Sequence, residues 1–309
     1  MRTEKLIAIV VSAQLLMAAA QPVRLQPSSQ WVLDYAENSC RLIRNFGEGD
    51  QQTKLALESE APGTMDMLVV GRPLQSFQEE VPAKFEPVQG EMLHGRAARS
   101  TDNGDAAVFW SRIDLRSEEA ADRAEKEAAE RRAHPGQRPP PLNLAVEVQK
   151  KSERQAFVAA VKDLEIDARH SRPVILETGS LAMPIKAFDQ CSRDSLRDWG
   201  VDPDVEDKIV RPVWAPDPKA WFTAEDYPRG MAVRGEESVV KVRLLVDATG
   251  RVTKCTSLSH FRMPEFNQVV CDKFMQRAHF EPAELADGTK VPSYYVNRIV
   301  FRMERNAGR

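Results

Sequence analysis

Cysteine has the clearest chemical options in this sequence, because thiols form disulfides, bind metals or act as nucleophiles. The chain of 309 residues contains four of them, at Cys40, Cys191, Cys255 and Cys271. No two form a Cys-x-x-Cys pair, so the spacing supports neither a thioredoxin-like redox site nor a zinc knuckle. Disulfide formation remains, and it depends on whether the chain leaves the reducing cytoplasm.

Residues 1–20 have the three parts of a secretory signal peptide. Arg2 and Lys5 precede a short apolar stretch, and three alanines end it at Ala20. We predict cleavage after Ala20, because the apolar segment over 6–20 is shorter than the roughly 20 residues that a membrane-spanning helix needs. An uncleaved N-terminal anchor is the alternative.

An exported chain can keep disulfide bonds. Proximity in the sequence favours a Cys255–Cys271 bond, which leaves Cys40 to pair with Cys191. The first bond would close a loop of about 15 residues and contribute about 3 kcal/mol by restricting the unfolded chain. The second would tie the start of the mature chain to a distant helix. Four independent buried thiols are the alternative.

The overall composition excludes several classes of protein. The chain has 43 Lys and Arg against 46 Asp and Glu, a net charge of −3. A dedicated nucleic-acid binder needs a basic face, so we predict no nucleic-acid partner. No apolar run is long enough for a multi-span membrane protein, and we predict no stable membrane span after cleavage of the signal.

The sequence predicts no catalytic residue, no metal site and no cofactor. The common motifs of hydrolases, zinc proteases, dinucleotide-binding proteins and P-loop proteins are absent. The histidines are far apart, and none has a carboxylate or cysteine at ligand spacing. They are His94, His134, His170, His260 and His279. We therefore predict a protein that is not an enzyme, although a site assembled from distant residues in the N-terminal half stays an alternative.

Residues 21–205 are predicted to form a mixed α+β module, the first of two domains. Alternating apolar residues indicate strands over 106–113 and 142–148. Apolar residues at three-and-four spacing indicate helices over 153–168 and 184–198. Cys191 lies on the second of these helices, beside its apolar stripe.

Two stretches have a different texture from the folded regions around them. Residues 117–141 contain a run rich in Ala, Glu and Arg, then several prolines. Because this run lacks an apolar stripe, we expect a solvated, partly helical excursion. Residues 206–229 are rich in Pro and Trp and are predicted to form a linker that lies against one or both domains. Residues 304–309 are predicted to be a tail.

The last eighty or so residues carry the strongest structural signal. Apolar residues alternate along 239–247, which is typical of a half-buried strand. A turn at Gly250 leads into a returning strand over 251–258, so the two form a hairpin. A helix over 264–279 and a final strand over 294–303 follow.

In this order and spacing the elements resemble a TonB C-terminal domain, particularly the cysteine-bearing type of alphaproteobacterial proteins. The resemblance covers about residues 221–303. It rests on VVKVRLLVDATGRVTKCTSLS, then a helix ending RAHFEPA, then DGTKVPSYYVNRIVF. It implies an α+β fold in which residues 230–303 form a small three-stranded antiparallel sheet with packed helices. It also implies a periplasmic role in contacting outer-membrane transporters and passing on energy.

The resemblance implies a site on the last strand. In the family this strand receives a short N-terminal segment of the transporter, and an edge strand can accept an extended peptide through backbone hydrogen bonds. The matching strand is 294–303, with either one set of alternate residues or the other exposed. The first set is Tyr294, Val296, Arg298, Val300 and Arg302. A strand that only completes the sheet is the alternative.

The chain also departs from TonB energy transducers. Its first histidine is His94, outside the apolar N-terminal segment, and a folded region replaces the long Pro-rich spacer. We therefore predict a periplasmic TonB-like interaction protein in TonB-linked transmembrane transport. Its partner would be an outer-membrane TonB-dependent transporter or another envelope protein. The alternatives are an energy transducer anchored in the inner membrane by an uncleaved segment, and a secreted enzyme or ligand-binding protein.

Overall fold

The computed structural model describes residues 21–75, 78–88, 92–99, 105–134, 136–168, 172–258 and 263–303. The predicted signal peptide, the predicted tail, His170 and His260 lie outside these residues. The fold is α+β, as predicted, with two hydrophobic cores. Buried residues between Leu25 and Cys191 form the first core, and those between Ile209 and Phe301 form the second.

A mixed sheet of ten strands surrounds the first core. Its strands are β1 (Val23–Leu25), β2 (Val32–Tyr35), β3 (Cys40–Phe46), β4 (Thr53–Ser59), β5 (Asp66–Gly71), β6 (Glu80–Glu86), β7 (Leu93–Arg99), β8 (Ala106–Trp110), β9 (Asp163–Ile166) and β10 (Val174–Leu176). They pair in the order β1-β10-β9-β6-β7-β8-β5-β4-β3-β2. Among the described strands of this sheet, β1 and β10 are the pair that runs parallel.

The N-terminal segment closes this sheet into a ring. β1 and β2 lie at opposite ends of the strand order, yet they belong to one short stretch of chain. Between them, the Gly47 N–H donates to the carbonyl of Gln26 (2.8 Å) and the Ser28 N–H donates to that of Asn45 (2.9 Å). The pairing along β3 therefore continues from β2 back towards β1. Closure of this kind leaves few free strand edges.

Three helices accompany the first core: α1 (Glu118–Ala133), α2 (Leu144–Ala160) and α3 (Ala182–Asp198). The short α4 (Pro203–Glu206) follows α3, and its Val205 packs against the second core. Ile185, Phe188 and Cys191 of α3 are buried in that core, as their three-and-four spacing predicts. The Cys191 sulfur is bonded to that of Cys40 on β3, with an S–S distance of 1.89 Å. The disulfide therefore fixes α3 against the sheet.

The strand predicted over 142–148 is wrong, since most of this stretch forms the start of α2. Asn143 caps the helix by accepting a hydrogen bond from the Ala145 N–H (3.1 Å). The alternating apolar residues face no core, and Val148 is 67% exposed. The prediction of a helix over 153–168 is wrong after residue 160. The chain then forms β9, which pairs between β6 and β10 in the ring.

The charged excursion forms α1, in which Ala121 is the only buried residue. It runs beside α2, held by ion pairs between Arg123 and Glu153 and between Lys150 and Glu127. Such exposed pairs contribute about 0–1 kcal/mol each. This is the solvated helix that the missing apolar stripe predicts.

The second core lies between helices and two small sheets. The main sheet has the order β13-β12-β16, with β12 (Ser238–Val246), β13 (Val252–Ser257) and β16 (Ser293–Phe301) all antiparallel. The other joins β11 (Ile209–Arg211), β14 (Ala283–Leu285) and β15 (Lys290–Val291). The helices are α5 (Arg229–Arg234) and α6 (Pro264–Arg277).

Short 3-10 helices occur in both halves of the chain. They span Gly49–Gln51, Arg72–Leu74, Pro218–Trp221 and Ala224–Asp226.

The predicted hairpin, helix and last strand are all present in this region. Gly250 makes the hairpin turn at φ +86°, and a Cβ there would lie 1.9 Å from the carbonyl oxygen of Phe280, so only glycine fits. Phe266, Val270 and Phe274 of α6 are fully buried. The Cys255–Cys271 disulfide (S–S 2.02 Å) joins β13 to this helix.

The predicted Pro/Trp-rich linker lies along the second core. The backbones of Trp214 and Glu281 exchange two hydrogen bonds (2.9 and 3.0 Å). Trp221 is buried, with ring centroids 5.9 Å from Phe274 and 4.8 Å from Phe280. The stretch therefore adds a strand and an aromatic anchor to the C-terminal part, while the domain boundaries stay a prediction.

Candidate functional site

The candidate site is the outer edge of β16. This strand pairs with β12 along its whole length, from Ser293 opposite Val246 to Phe301 opposite Ser238. Within the described residues, no strand pairs with its other side. β16 is therefore an edge strand, as the peptide-addition hypothesis requires.

Backbone bonding shows which groups point outward. The Leu258 N–H donates to the Lys241 carbonyl (2.8 Å), so the odd-numbered residues of β12 bond towards β13. Its even-numbered residues therefore bond towards β16, where their partners are the odd-numbered residues. The Arg298 N–H agrees, since it donates to the Oδ1 of Asn297 (2.7 Å) and not to β12. The outward N–H and C=O groups are those of the even-numbered residues of β16.

The side chains of β16 divide between two environments. Tyr295, Ile299 and Phe301 pack against the core beneath α6, and Phe301 contacts Phe266 with ring centroids 4.7 Å apart. Strand alternation places Tyr294, Val296, Arg298 and Val300 on the opposite face. The sequence did not decide which set of alternate side chains is exposed. The packing of Phe301 against the core decides it. Arg298, Val300 and Arg302 are exposed, whereas Tyr294 and Val296 are half-buried.

Part of this opposite face is covered by the N-terminal half of the chain. Arg243 of β12 is 4% exposed, and its guanidinium carbon lies 3.6 Å from the centroid of the Trp199 ring. The same guanidinium donates to the carbonyl of Glu60 (3.2 Å). Burial lowers the pKa of Arg243 to about 10, so the side chain is cationic at neutral pH.

Lys241 makes a second contact with the N-terminal half. Its Nζ pairs with the buried carboxylate of Glu60 and with Asp66 (3.0 Å). Burial alone would lower the pKa of Lys241, but the two carboxylates outweigh it and the pKa is raised. Burial raises the pKa of the Glu60 carboxyl. The cation is thus matched by two acids from the other half of the chain.

Tyr294 makes the third contact, at the start of the edge strand. Its ring meets Trp199 edge-on, with centroids 5.6 Å apart. Its hydroxyl donates to the Pro62 carbonyl (3.3 Å), and burial raises its pKa. The neighbouring Ser293 hydroxyl donates to Glu206 (2.7 Å), whose carboxyl pKa is also raised by burial. The open part of this face therefore begins after Tyr294.

Comparison with known families agrees with this geometry. Residues 223–303 match the family model of the Gram-negative bacterial TonB protein C-terminal. This part of the chain is a TonB C-terminal domain. The resemblance read from the sequence is confirmed over this range. No curated protein matches the chain.

The match indicates the general character of this part of the chain. A TonB C-terminal domain is an interaction domain and indicates a TonB-like envelope protein linked to transport. It spans α5 to β16 and so includes both the edge strand and the Cys255–Cys271 disulfide. The N-terminal ring and α1 to α4 lie outside it.

Sequence reasoning missed the residues that fasten the TonB C-terminal domain to the N-terminal half. In the sequence, Lys241 and Arg243 are simply polar residues of the alternating stretch 239–247, and Trp199 directly follows the helix predicted over 184–198. Two cations on one strand face, with a tryptophan elsewhere, are a weak signal. Their contacts depend on two segments that are far apart in sequence.

The described residues add two findings about other classes of site. They contain no group of three His, Cys, Asp or Glu side chains placed to hold a metal ion. Among the described helices, none combines the length and the apolar character needed to cross a membrane. His94 pairs with Glu80 on the neighbouring strand, with 2.8 Å between Nδ1 and Oε1, and both side chains are exposed.

Proposed function

We propose that this protein is a periplasmic TonB-like protein that binds an extended segment of a partner along the outer edge of β16. The partner is an outer-membrane TonB-dependent transporter or another envelope protein. The observation that carries the proposal is the unpaired outer edge, whose outward N–H and C=O groups belong to the even-numbered residues of the strand. The Arg298 N–H bonds to the Asn297 side chain, which an added strand would displace. Added strands gain affinity from such groups and specificity from alternate side chains.

The cysteines support an oxidising compartment. All four are paired, in the Cys40–Cys191 and Cys255–Cys271 bonds, and bonds of this kind persist outside the reducing cytoplasm. The signal-like N-terminal sequence agrees, and in this proposal it is removed after Ala20. The protein then acts through contacts alone and has no catalytic step.

The N-terminal half has a mechanical part in this proposal. Contacts from Arg243, Lys241 and Tyr294 hold it against the sheet of the TonB C-terminal domain. The closed ring therefore supports the edge strand through packed side chains, which a flexible spacer would not do.

Titration of the full protein, purified from the periplasm of an expression host, tests the proposal. The ligands would be peptides copied from the N-terminal segments of TonB-dependent transporters. We expect saturable binding and, by amide hydrogen exchange, new protection along β16. Peptides that leave β16 unchanged would contradict the proposal.

A proline at position 296 sharpens the test. Because the Val296 N–H points outward, Val296→Pro removes one contact to the peptide without removing a bond to β12. Val296→Thr keeps the N–H and is the matched control. Binding should weaken in the proline variant and persist in the threonine variant. Equal binding in both folded variants would place the peptide elsewhere.

A further inference from the structure

The edge strand β16 has a positive charge with no carboxylate partner among the described residues. Arg298 lies directly opposite Lys241 in the pairing of β16 with β12. Side chains at opposite positions are close, and like charges there are unfavourable. Lys241 is matched by Glu60 and Asp66, but Arg298 is exposed and has no carboxylate partner among the described residues.

A second unpaired cation lies further along the same face of the strand. Arg302 is exposed, lies four positions after Arg298 and has no carboxylate partner in the described part of the chain. The two positions are about 13 Å apart along an extended chain. Between them is Val300, 41% exposed, with Val239 opposite it at 51%. Along the open face, the side chains are therefore a cation, an apolar residue and a second cation.

Acids close to this edge are already engaged within the protein. The Glu237 carboxylate accepts a hydrogen bond from the Met303 N–H (3.0 Å), and Glu236 pairs with Arg234 (2.7 Å). Asp66, besides pairing with Lys241, accepts a hydrogen bond from the Arg112 N–H (2.6 Å). A partner can therefore supply the carboxylates that Arg298 and Arg302 lack among the described residues.

The other face of the same edge is mostly apolar, with Asn297 between Tyr295 and Ile299. Tyr295 and Ile299 are partly buried against the core, so an added strand would place its alternate side chains beside them. We propose that the partner segment alternates apolar and polar residues and has two acidic residues four positions apart, one beside Arg298 and one beside Arg302. This inference rests on the proposed function, because it specifies the occupant of the same edge.

The geometry also limits where the acidic residues can lie. Trp199 and Pro62 cover Tyr294, so the polar face of the partner is restricted to the stretch alongside 296–302. A second copy of this chain fits poorly, since pairing two β16 edges would bring the arginines of one copy near those of the other. The observations favour an acidic segment from a different protein.

Three labelled peptides test the inference on the full protein. Each has the core Thr-X-Ile-Val-Ile-X-Thr, flanked by Gly and Ser, with X as Asp, Asn or Lys. We expect the Asp peptide to bind roughly tenfold more tightly than the Asn peptide and the Lys peptide to bind most weakly, since each cross-strand pair gives about two- to fivefold. The preference should shrink between about 20 mM and about 500 mM salt, because these charges are exposed.

Substitutions show which residues cause the preference for the Asp peptide. Arg298→Gln should reduce it about two- to fivefold, Arg298→Glu should abolish it because Arg302 still favours the Asp peptide, and Arg298→Glu together with Arg302→Glu should reverse it towards the Lys peptide. Lys290→Gln, which removes an exposed cation from β15 on the other sheet, is the matched control and should change nothing.

The outcomes separate the two proposals. Equal binding of all three peptides, still sensitive to Val296→Pro, would overturn the acidic preference and leave edge binding intact. Binding of none would overturn the proposed function itself. Self-association that Val296→Pro abolishes would show that a second copy occupies the edge, which also contradicts the inference.

Discussion

Arg243 and Trp199 join the two halves of this protein through a buried cation–π contact. The guanidinium carbon lies 3.6 Å from the centroid of the indole, and the arginine is almost fully buried. One residue comes from the central strand of the TonB C-terminal domain and the other from the end of α3. The remaining guanidinium hydrogen bonds go to Glu60 and Asn38, so N-terminal segments surround this cation.

Loss of this contact should weaken the whole protein. Arg243→Met keeps the length of the side chain but leaves buried carbonyls without a donor, at a cost of about 1–3 kcal/mol. Removal of the cation–π contact adds roughly 1–2 kcal/mol. Urea unfolding followed by circular dichroism measures the change. Trp199→Phe keeps a ring and should cost less than Trp199→Leu.

A double-mutant cycle isolates the contact itself. We expect Arg243→Met and Trp199→Leu together to cost about 1–2 kcal/mol less than the sum of the single changes. Additive effects would show that the two side chains do not stabilise each other.

Asp226 should make the stability depend on pH in acid. Burial raises its pKa, but hydrogen bonds from the Thr223 N–H (2.9 Å), Arg277 (2.7 Å) and Lys273 (3.0 Å) outweigh this, and the pKa is lowered from 3.8 to about 2. A depressed carboxyl pKa stabilises the fold above the unfolded pKa, and this contribution disappears as the pH falls towards about 2. Its size is about 2 kcal/mol.

Chemical unfolding at several pH values tests this. Asp226→Asn should be less stable than the native protein at neutral pH and should lose less stability between about pH 4 and about pH 2. Asp272→Asn, at an exposed position of α6, is the control and should follow the native curve closely. Parallel curves for the Asp226 variant and the native protein would contradict the assignment.

Glu206 should behave in the opposite way. Burial raises its pKa, and its hydrogen-bond donor is the neutral Ser293 hydroxyl. A raised carboxyl pKa costs stability above the folded pKa and nothing below the unfolded one. Glu206→Gln retains an acceptor for Ser293 and should stabilise the protein at pH 8 by up to about 1 kcal/mol. The gain should vanish near pH 4, and a gain that persists there would have another origin.

Both disulfides should form in exported protein. Intact mass after alkylation without reduction should show no free thiol, and two or more would contradict the pairing. Replacing Cys255 and Cys271 together by serine should cost about 3 kcal/mol on the chain-entropy view. The same change at Cys40 and Cys191, which are 151 residues apart, should cost about 5 kcal/mol. The two double variants, unfolded thermally in parallel, measure this difference.

The sequence by itself determined the elements whose signals are local. The period-two pattern over 239–247 and the glycine at 250 predicted the β12–β13 hairpin, because side-chain alternation and positive φ are properties of a few adjacent residues. The spacing of apolar residues predicted α3 and α6. Proximity in the chain predicted the cysteine pairing, and the motifs in order identified the TonB C-terminal domain.

Tertiary structure decided everything that required distant partners. Residues 142–148 alternate like a strand, yet 144–148 form the start of α2 because no core lies beside them. The ring closes only because β1 and β2 belong to one segment that meets both ends of the sheet. The packing of Phe301 beneath α6 decides which alternate side chains of β16 are exposed. The two acids of the N-terminal half pair with Lys241, and Arg298 opposite it has no such partner among the described residues. Alternation tells which residues share a face of a strand, but only packing decides which face is covered.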